Sequence, residues 1–105
     1  MSSKQTKKRK RKPTIDKGKR MLSIYQARAE LNNSRSAERR QIKDGLLTEP
    51  VYRGPRTREW PEHEIAIIKA ARIAGATDDE IREVVQELMK ARRKIDWRKM
   101  LAEVV

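Results

Sequence analysis

Apolar side chains in the second half of the chain recur at the spacing of an α-helix. A run at positions i, i+3, i+4, i+7 and i+8 falls on one helix face and comprises Ile81, Val84, Val85, Leu88 and Met89. Residues 77–80, with the sequence Thr-Asp-Asp-Glu, have the form of a capping box with acidic residues in the first turn. The pattern predicts an amphipathic helix that starts after Thr77 and runs to about Lys94.

A shorter helix is predicted over residues 24–31. Ser23, followed three residues later by Gln26, forms another capping box at its start. Asn32 and Asn33 end it, because asparagine tolerates left-handed backbone angles and competes for backbone hydrogen bonds.

The segment after the two asparagines predicts a second short helix, over residues 35–44. Ser34 is placed to cap its start, and Gly45 stands where a left-handed residue closes a helix. Two helices of this length joined by a tight turn are typical of a helix-turn-helix unit.

A β-hairpin is predicted next. Val51 and Tyr52 form its first strand, residues 53–56 with the sequence Arg-Gly-Pro-Arg form the turn, and residues 57–60 form the returning strand. Trp60 ends this strand and is expected to pack in the core, since the chain has no Phe.

Pro61 suits the first position of a third helix, because its missing N–H would have no partner there. We expect Ile65, Ile68 and Ile73 on the buried side of this helix and Gly75 at its end.

Composition makes a polyanionic partner the simplest explanation of the charge. The 105 residues hold 27 Lys and Arg against 15 Asp and Glu, a net charge of +12, which exceeds what solubility requires. Nucleic acid and an anionic membrane surface both fit this charge. No segment is long and apolar enough to span a bilayer, and the basic start lacks the apolar stretch of a secretory signal. We therefore expect a nucleic acid partner and no membrane.

Catalysis and metal binding are not expected. The chain has no Cys and a single histidine, His63, which excludes disulfides, thiolate catalysis and cysteine-ligated zinc. One imidazole cannot supply a nucleophile, a base and an orienting partner. The sequence predicts a non-enzymatic protein without a cofactor or a metal.

The first 20 residues are predicted to be a disordered basic arm, because their charges repel one another and almost no apolar side chains offset them. Its densest part is expected to bind nucleic acid without sequence preference, and comprises Lys7, Lys8, Arg9, Lys10, Arg11 and Lys12. The same run has the form of a nuclear localisation patch. The chain thus divides into an arm over residues 1–20, a folded domain over 21–94 and a tail over 95–105.

The second predicted helix carries the strongest local signal for binding. Ile42 is nearly its only large apolar side chain, so most of its surface faces solvent or a partner. Arg35, Arg39 and Lys43 recur at i, i+4 and i+8 and form a cationic stripe suited to phosphates and guanine edges in a major groove. A solvated helix face in a lysine-rich protein has the same pattern.

The hairpin turn gives a second, independent signal. Arg53, Arg56 and Arg58 surround a stiff Gly-Pro turn, an arrangement that suits a minor groove or the phosphate backbone. Simple solvent exposure of the three arginines is the alternative interpretation.

Three pieces of the chain are distinctive in their order and spacing. They are Ser34-Arg35-Ser36 with Ile42-Lys43-Asp44-Gly45, then Gly54-Pro55-Arg56 before Trp60-Pro61-Glu62, and finally residues 72–81. Together they resemble the AlpA-like and excisionase-like proteins of phages and integrative elements, within the MerR-like winged-helix group. The resemblance spans about residues 21–92. It implies a mainly α, winged helix-turn-helix fold with a small β-hairpin wing and additional C-terminal helices.

The resemblance also implies a function, the regulation of site-specific recombination. Such proteins bind direct repeats in double-stranded DNA beside an integrase site, bend the DNA and favour excision, and many regulate transcription. The implied recognition helix carries Ser34, Arg35, Ser36, Arg39, Arg40 and Lys43. The implied wing carries Arg53, Arg56, Thr57 and Arg58. Two positions depart from the family: Asn33 stands where an apolar residue is usually buried, and Arg39 where an aromatic residue is common.

The tail goes beyond this pattern. Asp96 is placed to cap a last short helix, whose apolar face comprises Trp97, Leu101 and Val104. An exposed face of this kind marks a docking surface. Its occupant is the chain's own domain, a neighbouring protomer in a cooperative head-to-tail array on DNA, or an integrase.

Two other functions fit the same residues. A transcription regulator of phage or integrative-element genes needs the same groove contacts as an excisionase. A mobile basic arm on a small helical body is also typical of RNA-binding or ribosome-associated proteins. For the excisionase-like function, we expect the protein in the bacterial cytoplasm, associated with the nucleoid.

Overall fold

The computed structural model describes residues 20–105. The predicted basic arm, including Lys7 to Lys12, lies outside the described residues except for Arg20. The described chain is mainly helical with a small antiparallel sheet, as predicted. Its elements are β1 (Met21–Ser23), α1 (Ile24–Leu31), α2 (Arg35–Lys43), β2 (Val51–Tyr52), β3 (Arg58–Pro61), α3 (Glu62–Ile73), α4 (Asp78–Arg93) and α5 (Trp97–Val104).

Capping residues fix the starts of α1 and α4 where the sequence predicts them. The Gln26 amide donates to Ser23 Oγ and the Gln26 side chain accepts from the Ser23 amide. Thr77 and Glu80 form the same reciprocal pair at α4. Each box satisfies amide groups that have no partner within the helix, so both predicted capping boxes are confirmed.

Left-handed residues end α1, α2 and α3. Asn32, Gly45 and Gly75 have φ values of 54°, 77° and 85°. In each case the amide of this residue and the amide of the next one donate to carbonyls of the last helical turns, as in a Schellman motif. Helix α2 ends one residue before the predicted bound, because Asp44 already has non-helical backbone angles.

The sheet has the strand order β1-β3-β2, and its first strand was not predicted. β1 pairs antiparallel with β3, with Leu22 opposite Trp60. A three-residue strand that runs directly into a helix cap carries almost no local signal. It exists because β3, about 40 residues later in the chain, offers it a ladder partner.

The predicted hairpin is present, but its second strand is shifted. β3 starts at Arg58 and includes Pro61, which was expected in α3. That prediction is wrong by one residue, since Pro61 has extended angles (φ −60°, ψ 131°) and lies opposite Met21 in the sheet. The Glu62 amide then donates to the Arg20 carbonyl at 2.9 Å, so the pairing with β1 continues to the first residue of the helix.

The core is assembled by α1, β1, β3, α3 and α4. Its buried apolar side chains are Leu22, Ala27, Leu47, Trp60, Ile65, Ile68, Ile81, Val85 and Leu88. The Trp60 indole N–H donates to the Thr48 carbonyl at 2.9 Å, which confirms the predicted packing of Trp60 and fixes the segment before β2. The expected burial of Ile73 is wrong, because its side chain is 78% exposed. Ile73 follows Ile68 by five residues, which turns it roughly 140° away from the buried side.

A buried ion pair joins α3, α4 and the loop before β2. Arg92 donates from Nε and Nη2 to the two carboxylate oxygens of Glu64, both at 2.7 Å. Its Nη2 also donates to the Glu49 carbonyl at 2.7 Å. Glu64 is fully buried. These contacts hold α3, α4 and the loop before β2 together.

Helix α4 also holds the end of α2. Arg82 donates from Nε to the Asp44 carbonyl at 2.9 Å and pairs with Asp79 at 2.9 Å. The carbonyl of a helix C-terminal residue carries part of the negative end of the helix dipole, so a guanidinium is a favourable partner. The position of α2 is therefore set at its end as well as along its buried face.

Candidate nucleic-acid interface

Helix α2 lies with one face on the protein and the other in solvent. The inner face carries Glu38, which is 2% exposed, and the half-buried Ile42. We define the outer face of α2 by its exposed residues Ser34, Arg35, Ser36, Arg39, Arg40 and Lys43. Within residues 20–105, no ion pair involves any of the four cations in this set. The outer face thus presents positive charge and hydroxyl groups to solvent.

The single acidic residue of α2 is turned inward onto α1. Arg28 donates from Nε to Glu38 Oε1 at 2.7 Å and from Nη2 to Oε2 at 3.4 Å. This hydrogen bond to the carboxylate raises the pKa of Arg28 above its usual range. The Arg28 guanidinium also lies 5.9 Å from the centre of the Tyr25 ring. Because Glu38 is neutralised inside the molecule, it does not offset the cations of the outer face.

The turn between α1 and α2 is held by a pair of side-chain amides. Asn33 Nδ2 donates to Gln41 Oε1 at 2.9 Å, and Gln41 Nε2 donates to Asn33 Oδ1 at 3.2 Å. Asn33 is half-buried, and the pair satisfies its polar atoms. The reciprocal amide contact therefore gives Asn33 a structural role in the turn.

Removing this pair should loosen α2. We expect Gln41→Ala to lower the free energy of unfolding by about 1–2 kcal/mol, because it leaves the half-buried amide of Asn33 without its partner. Urea denaturation followed by circular dichroism measures the change. Gln86→Ala, at an exposed glutamine of α4, is the matched control and should change stability by less than about 0.5 kcal/mol. Equal effects of the two substitutions would contradict a structural role for the amide pair.

Ser34 caps α2 and keeps a donor for a ligand. Its Oγ accepts from the Ala37 amide at 3.1 Å, which leaves the hydroxyl proton available for donation. Ser36 lies exposed in the first turn of the helix. Hydroxyl donors at the positive end of a helix suit a phosphate group.

The hairpin turn carries the second group of predicted residues. The Arg53 amide donates to the Thr57 carbonyl at 2.9 Å and closes the turn. Arg56 and Thr57 are exposed, Arg58 is half-buried, and the exposed Arg53 lies 3.4 Å from the Glu59 carboxylate. Arg56 is therefore exposed without a described ion pair, whereas Arg53 has an acidic neighbour.

Tyr52 is a further exposed residue of the hairpin that the sequence analysis did not single out. Its side chain is 65% exposed and lies opposite Arg58 in the pairing of β2 with β3. Its exposure could have been predicted, because successive side chains of a strand point to opposite faces and its neighbour Val51 is half-buried. A phenol beside an arginine adds a flat surface and a hydroxyl donor to the turn.

A common core fixes the hairpin and α2. Ile42 at the end of α2 and Leu46 after it pack against the buried cluster that contains Trp60 of β3. Both cationic segments are therefore attached to one hydrophobic core.

The tail forms a short helix whose side chains are all exposed. Asp96 caps α5 by accepting from the Lys99 amide at 3.0 Å, as predicted. Trp97, Leu101 and Val104 are all exposed, so they do not pack on their own domain. In the part of the chain that the structure describes, no helix has both the length and the hydropathy needed to cross a bilayer.

The exposed groups of α2 and the hairpin turn are donors and cations. A guanidinium presents a rigid fork of N–H donors that matches a phosphate or the O6 and N7 acceptors of guanine. The chemistry available here is therefore recognition of an anionic, acceptor-rich surface. No protein-family model, no curated protein and no solved structure matches this chain.

Proposed function

We propose that the protein binds double-stranded DNA as a winged helix-turn-helix architectural protein, without enzymatic activity. In this proposal α2 enters a major groove, and the hairpin turn contacts the adjacent backbone. The observation that carries it is the asymmetry of α2. Its one acid is buried against Arg28, whereas its four cations and two serines face solvent without a described ion pair.

The size and polarity of α2 support groove binding. A major groove admits one α-helix, and its base edges are read by side chains on the exposed face of that helix. Arg35, Arg39 and Lys43 lie on three successive turns of the helix and can follow the floor and wall of a groove. A helix with so much exposed polar surface contributes little to the hydrophobic core. The cations on its exposed face are therefore better explained by binding to a partner than by a role in folding.

The order of elements supports the winged form of the fold. A strand, two helices joined by a short turn, and a hairpin follow one another in the order β1-α1-α2-β2-β3. The hairpin then lies beside a helix-turn-helix pair, as a wing does. Its exposed Arg56 lies in the turn and its exposed Thr57 closes the turn, and the turn is the part of a wing that contacts phosphates or a minor groove.

The resemblance to excisionase-like proteins narrows the proposal to a recombination directionality factor. In this role the protein bends DNA beside an attachment site so that an integrase of a mobile element favours excision, in the bacterial cytoplasm. The same surface also serves a transcription regulator. A recombination assay with purified integrase, with and without the protein, distinguishes the two: stimulated excision supports the first, and unchanged excision with altered promoter activity supports the second.

Salt dependence of binding tests the electrostatic part of the proposal. If the outer face of α2, the hairpin and the arm neutralise about six phosphates, log affinity should fall against log salt with a slope of about −5. Fluorescence anisotropy of a labelled duplex from the DNA flanking the protein's own gene measures this slope. An affinity that hardly changes with salt would overturn the proposal, and preference for structured RNA over the duplex in competition would favour an RNA-binding function.

A further inference from the structure

Helix α5 exposes an apolar face that is unusually large for its length. Within the described residues, α5 buries none of its side chains. The exposed fractions of its four large apolar side chains run from 49% at Met100 to 82% at Val104, with Trp97 and Leu101 between them. Arg98 borders this face, with its guanidinium 4.3 Å from the centre of the Trp97 ring. The face is therefore apolar at its centre and basic at its edge.

A groove between α3 and α4 has an acidic edge, opposite in charge to the basic edge of the α5 face. Ile67 of α3 lines it together with Val84 and Leu88 of α4, and its volume is about 450 Å³. Its remaining lining residues are Glu80, Glu83 and Glu87. Ile67 is 44% exposed, so the floor of the groove is open to solvent. The groove has an apolar floor and an acidic rim in a chain whose net charge is +12.

These two surfaces complement each other in polarity and in charge. The apolar side chains of α5 match the floor formed by Ile67 and its neighbours, and Arg98 and Lys99 match the acidic rim. Within the described residues Glu83 of the rim has no ion pair, whereas Glu87 lies 3.4 Å from Lys90 and Glu80 caps α4. Burial of matched apolar surface supplies affinity, while complementary charge fixes the orientation. We propose that α5 of one copy of the protein docks into the α3–α4 groove of a second copy.

The length of the connection argues against docking within one chain. Only residues 94–96 separate α4 from α5. The eight-residue helix α5 is about 12 Å long. Folded back from Lys94, it would run beside roughly the last eight residues of α4. The groove is lined by α4 residues 80–88, so α5 of the same chain would reach only its near end, at residues 86–88. A second copy has no such restriction.

The proposed contact joins two different surfaces and therefore does not close on itself. Each copy that donates its α5 keeps a free groove, and each copy that accepts a helix keeps a free α5. Contacts of this heterologous kind extend into an open chain of copies. The self-association does not require DNA, so it is tested on the free protein and does not depend on the proposed function.

Analytical ultracentrifugation of the full chain and of two variants, one altered in the groove and one in the α5 face, tests the contact. Ile67→Glu adds a charge to the groove floor, and Trp97→Ala/Leu101→Ala removes the centre of the α5 face; all three positions are exposed enough to leave the core intact. The unaltered chain should show a mass that rises with concentration beyond that of a dimer. Each variant alone should stay monomeric. An equimolar mixture of the two should form a dimer that does not grow, because it retains one intact α5 and one intact groove.

A matched control and a second readout sharpen the test. Ile73→Glu changes an exposed isoleucine on α3 outside the groove and should associate like the unaltered chain. Docking also moves the exposed Trp97 into an apolar site, whereas Trp60 is already buried, so tryptophan emission should shift to shorter wavelength as concentration rises.

Several results would overturn the proposal. An unaltered chain that stays monomeric at every soluble concentration would do so, and would leave another protein as the occupant of the groove. A chain that stops at a dimer would contradict the open arrangement. A mixture of the two variants that stays monomeric would show that α5 and the groove do not contact each other.

Discussion

Arg92→Ala should lower the free energy of unfolding by about 3–5 kcal/mol, because it leaves a buried charge without its ion-pair partner. The Glu64 carboxylate is fully buried, and both of its oxygens accept from Arg92 at 2.7 Å. Without the guanidinium the carboxylate has neither water nor a cation, and the Glu49 carbonyl also loses its donor. Urea denaturation followed by circular dichroism measures the loss, and a midpoint close to that of the unaltered chain would contradict it.

Two comparisons separate this effect from a general loss of charge. Lys69→Ala breaks an exposed ion pair in which Lys69 Nζ lies 2.9 Å from Glu30 Oε1. It should lower the free energy of unfolding by less than about 1 kcal/mol, because solvent screens the pair. The double variant Glu64→Leu/Arg92→Met removes both charges and should recover much of the stability, since apolar side chains of similar volume can replace a buried pair. If the double variant were as unstable as Arg92→Ala, the destabilisation would come from lost packing and not from an unpaired buried charge.

Arg35→Ala/Arg39→Ala should weaken binding to the cognate DNA site by about 2–6 kcal/mol. Each arginine that reads a base edge with a bidentate contact contributes about 1–3 kcal/mol of discrimination. Both side chains are exposed on the outer face of α2 and have no described ion pair, so their removal leaves the fold intact. Anisotropy titrations of the cognate duplex and of a random duplex measure the change. The loss on the cognate duplex should be the larger of the two.

Arg72→Ala/Arg93→Ala is the matched control, because it removes the same two charges from exposed positions on α3 and α4. It should reduce affinity only through net charge, and equally on both duplexes. If the α2 double variant lost affinity equally on both duplexes, its arginines would be phosphate contacts. If it lost no more than the control, α2 would not be the recognition helix.

The helices could be predicted from the sequence because their ends are marked locally. Ser23 with Gln26, Ser34, and Thr77 with Glu80 each define a helix start within four residues. The exposed positions of α2 followed from the same logic, since a helix with one large apolar side chain has one buried side. Capping acts within one helical turn and periodicity within one helix, so both can be recognised without knowledge of the rest of the fold.

Contacts between distant residues could not be predicted in this way. The strand β1 exists through its pairing with β3, and the ion pairs of Arg28 with Glu38 and of Arg92 with Glu64 join separate helices. A chain with 27 basic and 15 acidic residues offers many pairings of similar plausibility, and only tertiary packing selects among them. For the same reason the sequence did not reveal that Arg53 lies beside Glu59.

The central position of β3 has a consequence for the thermodynamics of ligand binding. A hairpin whose first strand has only two residues would sample many conformations on its own. Here β3 is also paired with β1, and Ser23 at the end of β1 begins α1. In the proposed complex with DNA, the arginine-bearing turn would therefore lose little conformational entropy, and the favourable enthalpy of its contacts would not be offset by the cost of ordering the chain.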